Sequence, residues 1–145
     1  MDIPIHPILV HFPIALITSA FFFQALYVWK LPLICRTMSM WLLGLGALLS
    51  IPATVSGQEE AVYVGQFGLE TIVLETIQLH ELMANLATWG SLITVLAWVY
   101  FFLNNPHDDR IDRLALAFLG LLTGFVIFTG YLGGLLSHGH GVGMP

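Results

Sequence analysis

Charged residues are scarce in this chain of 145 residues, making up only 9% of it, whereas a soluble domain has roughly 25%. Hydrophobic residues make up 57%, and the mean hydropathy is +0.86. This composition excludes an ordinary soluble fold and predicts an integral membrane protein. Only four residues are basic, which excludes a positive surface for nucleic acid. The single cysteine, Cys35, excludes an internal disulfide and any CxxC site.

Several catalytic motifs are also missing. The sequence has no CxxCH for covalent haem, no HExxH or HxxxH on one helix, no phosphate loop and no Ser/His/Asp grouping. The predicted spans hold no carboxylate near their centres, where a proton relay would need one. Hydrolase and pump activities are therefore disfavoured. No catalytic residue can be named, and the sequence leaves open whether the protein is an enzyme.

Four apolar stretches are long enough to cross a bilayer, residues 8–29, 38–56, 80–103 and 114–137. The connections "KLPLICRT" and "NNPHDDRIDR" carry charges and turn-forming residues. The acidic segment 57–79 also holds apolar and aromatic residues, and we expect a short interfacial helix there. The sequence predicts an all-α, integral membrane four-helix bundle that forms a single domain over residues 1–145.

The basic residues predict the orientation of the bundle. Lys30, Arg36, Arg110 and Arg113 all fall in the first and third connections. The positive-inside rule places these connections in the cytoplasm and both termini on the outer, periplasmic side. The start "MDIPIHP" lacks the positive region of a signal peptide, so we expect it to remain as part of the first span. We therefore predict a multi-pass protein of the bacterial inner membrane.

With this orientation, five of the six histidines fall at the outer ends of the spans, namely His6, His11, His80, His138 and His140. Only His107 is cytoplasmic. Stripes of small or weakly polar residues at helical spacing lie below two of them, Ala15, Thr18, Phe22 and Ala25 below His11, and Ala84, Ala87, Ser91 and Thr94 below His80. Pro13 is expected to kink the first span and turn His11 toward the bundle axis.

Facing imidazoles suit haem iron or a transition metal. Haem b needs two axial imidazoles, for which the candidates are His11, His80 and His138, with the pair undecided. A bare copper, zinc or iron ion needs three or four ligands. The candidates for that site are His6, His11, His80, His138, His140, Glu59 and Glu60. A third possibility is an accessory subunit of a respiratory or photosynthetic complex, in which the histidines serve only interfaces.

Three segments carry a resemblance to a known family, "HPILVHFPIAL", "LHELMAN" and "GYLGGLLSHGHGVG". Over nearly its whole length the chain resembles the bacterial membrane family called domain of unknown function 2231. The positions that carry the resemblance are His6, Pro7, His11, Pro13, His80, Gly133, Gly134, His138 and Gly139. The acidic "SGQEEA" after the second span and the additional His140 depart from the family pattern.

The resemblance implies four spans. Some relatives look to be joined to Rieske-type or cytochrome modules, which implies redox chemistry at the outer face. The first functional hypothesis is therefore an electron-transfer membrane protein that binds haem b near its outer surface. Its expected partners are the lipid bilayer and a protein redox partner or larger membrane complex. The bare metal ion and the accessory subunit remain alternatives.

Overall fold

The computed structural model describes residues 5–30, 32–66, 68–106 and 108–139, and these residues form four long α-helices with short connections. The helices are α1 (Ile5–Val28), α2 (Ile34–Gly65), α3 (Thr71–Asn104) and α4 (Asp109–Gly134), and a π-helical turn, Leu135–Gly139, continues α4. Each of the four is long and apolar enough to cross a membrane. The structure thus confirms the prediction of an all-α four-helix membrane bundle.

The four helices pack in a closed ring, in which each contacts its sequence neighbours and α4 returns to contact α1. One buried stripe per helix supplies the core, which comprises Ile17, Ala20, Leu43, Ala87, Trp98, Ala115, Leu119, Leu122 and Val126. Small residues allow close approach between membrane helices. At Gly46 of α2, for example, a Cβ would lie only 2.9 Å from Cγ1 of Ile17.

The second and third helices are longer than the bilayer requires. Their 32 and 34 residues span about 48 and 51 Å at 1.5 Å per residue, whereas a hydrocarbon core is about 30 Å thick. The separate interfacial helix expected within residues 57–79 is not formed. Instead, α2 continues to Gly65 and α3 begins at Thr71, because "GQEEAV" contains good helix formers and no proline. Both helices of the α2–α3 hairpin are therefore longer than the hydrocarbon core is thick.

The stripe prediction was right for α3 and wrong for α1. On α3, Ala87 and Ser91 are buried, with Trp98 continuing the same face. On α1, Ala15 and Phe22 of the predicted stripe are exposed. The buried positions of α1 are Pro13, Ile17, Ala20 and Gln24. Followed toward the N-terminus at helical spacing, this buried face leads to His6 and not to His11.

An ion pair is buried at the end of the bundle that carries the α1–α2 and α3–α4 connections, here called the basic end. Arg36 Nε of α2 lies 2.7 Å from Asp112 Oδ1 of α4. The side-chain amide of Gln24 on α1 donates to the Asp112 main-chain oxygen at 3.1 Å, and Arg36 Nη1 donates to the Pro106 carbonyl at 3.0 Å. These bonds connect three helices and the α3–α4 connection in one cluster.

Candidate functional site

A cavity of about 440 Å³ lies at the opposite end of the bundle, here called the histidine end, where α1 begins and α4 finishes. All four helices contribute to its walls, which are mostly apolar or small. It reaches from His6 and His138 down to Ile17 and Val126 in the core. Its volume falls within the range of roughly 300–1,000 Å³ that is usual for small-molecule and cofactor sites.

His6 projects from the first turn of α1 toward α2. Its Nδ1 lies 3.0 Å from Oγ of Ser56, and the Ser56 hydroxyl donates to the Ala53 carbonyl at 2.9 Å. Because the hydroxyl hydrogen is used in that bond, the Ser56 oxygen accepts from Nδ1–H of His6. In the neutral ring, Nε2 then carries a free lone pair.

His80 of α3 reaches α4 in the same manner. Its Nδ1 donates to the main-chain carbonyl of Thr129 at 3.0 Å. A carbonyl oxygen can only accept, so the proton of the neutral ring is on Nδ1 and Nε2 is again the free nitrogen. The hydroxyl of Thr129 donates to the Phe125 carbonyl at 2.7 Å and takes no part in this bond.

His6 and His80 face one another across the cavity. Their ring centroids are 6.4 Å apart and their planes are nearly perpendicular, at 86°. Two imidazoles bound on opposite sides of one metal ion have centroids roughly 6 Å apart, since a metal–nitrogen bond is about 2.0–2.1 Å long. In centroid separation, the pair therefore matches two imidazoles that bind one ion.

Each of these imidazoles rests against a glycine of the neighbouring helix. A Cβ at Gly57 of α2 would lie 2.7 Å from Cε1 of His6, and a Cβ at Gly133 of α4 would lie 3.3 Å from Cε1 of His80. The first distance is impossible without movement of the ring and the second is tight. Glycine at these two positions is thus what allows the imidazoles to occupy their places.

The other predicted site residues lie further from this pair. His11 and His138 are exposed, although both contribute to the cavity wall. His11 Nδ1 donates to the Pro7 carbonyl within the same helix, and His138 Nδ1 lies 3.1 Å from Oγ of Ser137. The expected turning of His11 toward the bundle axis by Pro13 is not seen, since α1 continues through Pro13 and leaves His11 exposed.

Of the predicted acidic ligands, Glu60 lines the cavity, whereas Glu59 is exposed and lies outside its walls. Glu81, next to His80, also lines the cavity. No lysine or arginine is among the lining residues in the described part of the chain, so the cavity is electronegative. His140 and His107 lie outside the described residues.

The described residues do not build a site with three protein ligands for a metal. No three side chains of His, Cys, Asp or Glu within those ranges are close enough together to hold one ion. What they bring together is a pair of imidazoles from two opposite helices, α1 and α3, which have no packing contact with each other.

Sequence reasoning named His80 as a candidate haem ligand but placed His6 only among the ligands of a bare metal ion. The two residues that accept from the imidazoles, Ser56 and Thr129, were missed. The usable signal for His6 was the spacing of Pro13, Ile17, Ala20 and Gln24, which continues to His6. The acceptors carry no sequence signal, because one is a main-chain carbonyl and the other is one of several serines.

Comparison with known families gives one match, which covers nearly the whole chain. A family model with the description "predicted membrane protein (DUF2231)" matches residues 2–145. No curated protein and no solved structure matches the chain.

Proposed function

The chain belongs to the DUF2231 family of predicted membrane proteins, and we propose that it is a redox protein that binds haem b at the histidine end of its bundle. The observation that carries this proposal is the pair His6 and His80, with ring centroids 6.4 Å apart across a cavity that all four helices line. His80 was among the three haem ligands expected from the sequence, with the pair left undecided, and we propose His6, which was expected only as a ligand of a bare metal ion, as the partner of His80.

The number of available ligands favours haem over a bare ion. A b-type haem takes only two protein nitrogens, because the porphyrin supplies the other four ligands of the iron. A structural zinc site takes four protein ligands and a catalytic one takes three. The described residues offer two facing imidazoles and no three-ligand group. The mostly apolar walls and the lining glycines Gly130 and Gly134 suit a flat, apolar group.

The residues around the pair fix the orientation and the basicity of the two imidazoles. Ligating histidines usually donate their second N–H to a carbonyl or another acceptor, which fixes the tautomer and makes the ligating nitrogen a stronger donor. Ser56 and the Thr129 carbonyl occupy these acceptor positions. When bound, haem would supply a one-electron redox centre. The carboxylates Glu60 and Glu81 would favour its oxidised, more positive state and so lower the midpoint potential.

The proposed location follows from the charge pattern. All four basic residues lie at the basic end, with Lys30 just after α1, Arg36 in the first turn of α2, and Arg110 and Arg113 at the start of α4, whereas the α2–α3 hairpin is acidic. The positive-inside rule then places the histidine end on the outer side of a bacterial inner membrane. A soluble redox protein or a larger membrane complex on that side would exchange electrons with the site.

The test is an absorption spectrum of the protein purified from membranes of a host with an adequate haem supply. We expect a Soret band that shifts on reduction, at about one haem per chain. His6→Ala and His80→Ala should each lower haem content by about tenfold or more, in line with the loss of a first ligand. His11→Ala and His138→Ala are the matched controls and should retain haem.

Each contrary outcome assigns a different function. If the wild type contains no haem but does contain copper, zinc or iron, and this metal is lost in His6→Ala, then the protein binds a bare metal ion. If pigment and metal content are absent or unaffected by every histidine substitution, the accessory-subunit hypothesis replaces ours. If His11→Ala alone abolishes the Soret band, the ligand pair is wrong although the cofactor is right.

A further inference from the structure

The cavity at the histidine end opens sideways, between α1 and α4. Among the described residues, those that both line the cavity and are exposed all belong to α1 or to α4 with its π-helical turn, namely Pro7, His11, Gly130, Gly134 and His138. Every lining residue of α2 and α3 within the described ranges is buried or half-buried. The cavity is therefore closed by α2 and α3 and open between the first and the last helix, at what is here called the lateral opening.

The packing of α1 on α4 loosens toward the lateral opening. Midway along α4, a Cβ at Gly120 would lie 3.3 Å from the ring of Phe21. Closer to the histidine end, a Cβ at Gly130 would reach only Ile14, at 4.0 Å, and a Cβ at Gly134 would meet no atom within 4 Å. Glycine usually lets membrane helices approach closely. At Gly134 it instead borders a gap that leads into the cavity.

Hydrogen bonds join the other three pairs of neighbouring helices at this end. They run from His6 to Ser56 between α1 and α2, from Thr54 to Thr88 between α2 and α3, and from His80 to the Thr129 carbonyl between α3 and α4. Within the described ranges, α1 and α4 share side-chain hydrogen bonds only at the basic end, where Gln24 donates to Asp112. Widening of the lateral opening would therefore break no hydrogen bond of the described residues.

The lateral opening lies at the depth of the outer hydrocarbon of the bilayer. His11 precedes Lys30 by 19 residues and Gly130 follows Arg113 by 17. At 1.5 Å per residue they lie about 28 and 26 Å from the basic end, within a hydrocarbon core about 30 Å thick. Phe12, next to His11, is an exposed apolar side chain. A ligand that enters the cavity by this route must therefore be soluble in the membrane.

His11 supplies a polar group at the lateral opening. Its Nδ1 donates to the Pro7 carbonyl of the same helix, so Nε2 of the neutral ring carries a lone pair. Nε2 has no hydrogen-bond partner among the described residues. An ionisable side chain within a membrane is costly and marks a functional site by default. The imidazole thus offers one acceptor, at the edge of the cavity, to a ligand that carries a hydroxyl group.

We propose that the lateral opening binds the ring of a membrane quinol, with one hydroxyl of the quinol donating to Nε2 of His11 and its apolar tail lying in the bilayer. A quinol ring is flat, as a gap bordered by glycine requires. Its hydroxyl groups are donors that the oxidised quinone lacks, so the reduced form should bind more tightly. Quinols are also redox carriers that diffuse within the bilayer, in keeping with a redox site in the same cavity.

The binding of the quinol does not depend on haem, whereas its role as electron donor rests on the proposed function. In that role each quinol becomes a quinone and gives up two electrons and two protons. The electrons pass singly, through the haem, to the redox protein or complex on the outer side. The first proton goes to Nε2 of His11, and both protons end in water at the outer surface. His11 is thus separate from the proposed ligands of the haem.

Two pairs of variants test the lateral opening. Gly134→Leu should fill the gap, whereas Gly124→Leu is its matched control. Gly124 is also exposed and also has no atom within 4 Å of an added Cβ, but it does not line the cavity. His11→Leu removes the acceptor, whereas His11→Gln keeps one in its side-chain carbonyl. Thermal unfolding of all four variants checks that they remain folded.

The experiment is a calorimetric titration of each purified full-length protein in a neutral detergent with decylubiquinol and, separately, with decylubiquinone. The quinol titration is anaerobic and uses a reductant, so that any haem present is already reduced. We expect saturable binding at one site, about tenfold tighter for the quinol than for the quinone. Gly134→Leu and His11→Leu should each weaken quinol binding about tenfold or more, and the two controls by less than about threefold.

The haem content of each preparation is measured in parallel and separates the two proposals. A wild type that contains haem but binds no quinol at a saturable site overturns the quinol proposal alone. Quinol binding with the expected pattern of variants, in a protein without haem, supports the lateral opening and contradicts the haem proposal. Equal weakening by the two leucines at glycine positions, or unchanged binding in His11→Leu, contradicts the proposed site. Equally strong competition by short-chain phosphatidylcholine would assign the opening to a lipid acyl chain and also overturn it.

Discussion

At the scale of single residues, the candidate site depends on glycine and serine as much as on histidine. The imidazole of His6 fits only because Gly57 leaves space for it, and the imidazole of His80 packs closely on Gly133. The Ser56 hydroxyl and the Thr129 carbonyl then select the nitrogen that remains free. These residues fix the position and the tautomer of the two imidazoles. A measurement of haem content alone would not distinguish this contribution from direct ligation of the iron.

Gly57→Ala should displace the ring of His6, because the new methyl group would lie 2.7 Å from Cε1. Haem content should fall by about tenfold while the helix itself gains about 1 kcal/mol from the better helix former. Absorption spectra and thermal unfolding measure the two effects. Gly44→Ala on the same helix is the control, since its Cβ would meet only Val95 at an ordinary 3.9 Å. Equal haem loss in both variants would contradict the role of Gly57.

Ser56→Ala removes the acceptor of His6 Nδ1–H and should weaken haem binding about 10- to 100-fold without abolishing it. Ser50→Ala is matched, because the Ser50 hydroxyl also lines the cavity and bonds a carbonyl of its own helix, 2.7 Å away on Ala47. Haem titration of the apoprotein gives both affinities. Wild-type affinity in Ser56→Ala would show that the hydrogen bond does not position the ring.

At the scale of helices, the ion pair of Arg36 and Asp112 connects α2 to α4 where both begin. Both side chains are buried, at 4% and 6% exposure, so neither charge can be satisfied by water if the other is removed. The pair therefore specifies which helix ends meet, while the apolar stripes of the core supply the packing that holds them together.

Arg36→Ala should destabilise the bundle by about 3–5 kcal/mol, because it leaves the Asp112 carboxylate buried and unpaired. The double variant Arg36→Met with Asp112→Leu removes both charges and should recover most of that loss. Unfolding in detergent, followed by circular dichroism, compares the two. If the double variant is as unstable as Arg36→Ala, then the cost lies in lost packing against Phe102 and not in the unpaired charge.

At the scale of the whole molecule, the bundle has two chemically different ends. The histidine end has an electronegative cavity and the acidic α2–α3 hairpin, whereas the basic end carries all the lysine and arginine. This polarity is the basis of the proposed orientation of the bundle in the membrane.

The orientation predicts where single cysteines react. In a Cys35→Ser background, Gln66→Cys in the turn of the hairpin should react with a membrane-impermeant maleimide in intact spheroplasts. Asn105→Cys at the end of α3 should react only after the membrane is permeabilised. Gel-shift labelling measures both, and permeabilised cells provide the positive control for each. The reverse pattern would place the histidine end in the cytoplasm.

The number of helices, the approximate bounds of α1 and α4 and the inward face of α3 could be predicted, because hydropathy and helical spacing are local properties of a sequence. The depth of each histidine in the membrane could not predict which histidine of α1 faces His80. His6 and His11 are five residues apart and so point about 140° apart around a helix, which lets only one of them face the axis. The continuation of α2 through "GQEEAV" was missed because the acidic residues after the apolar span predict a break between a membrane helix and a separate interfacial helix.

The ion pair also sets an order of events during synthesis. Arg36 and Asp112 are separated by 76 residues of chain, so at about 5–20 residues per second the arginine leaves the ribosome roughly 4–15 s before its partner. During that interval α1 and α2 can pair as a hairpin, while the guanidinium at the helix end remains in contact with lipid headgroups and water. When α4 emerges, Asp112 can pair with Arg36, and closure of the four-helix ring is then the last step of assembly.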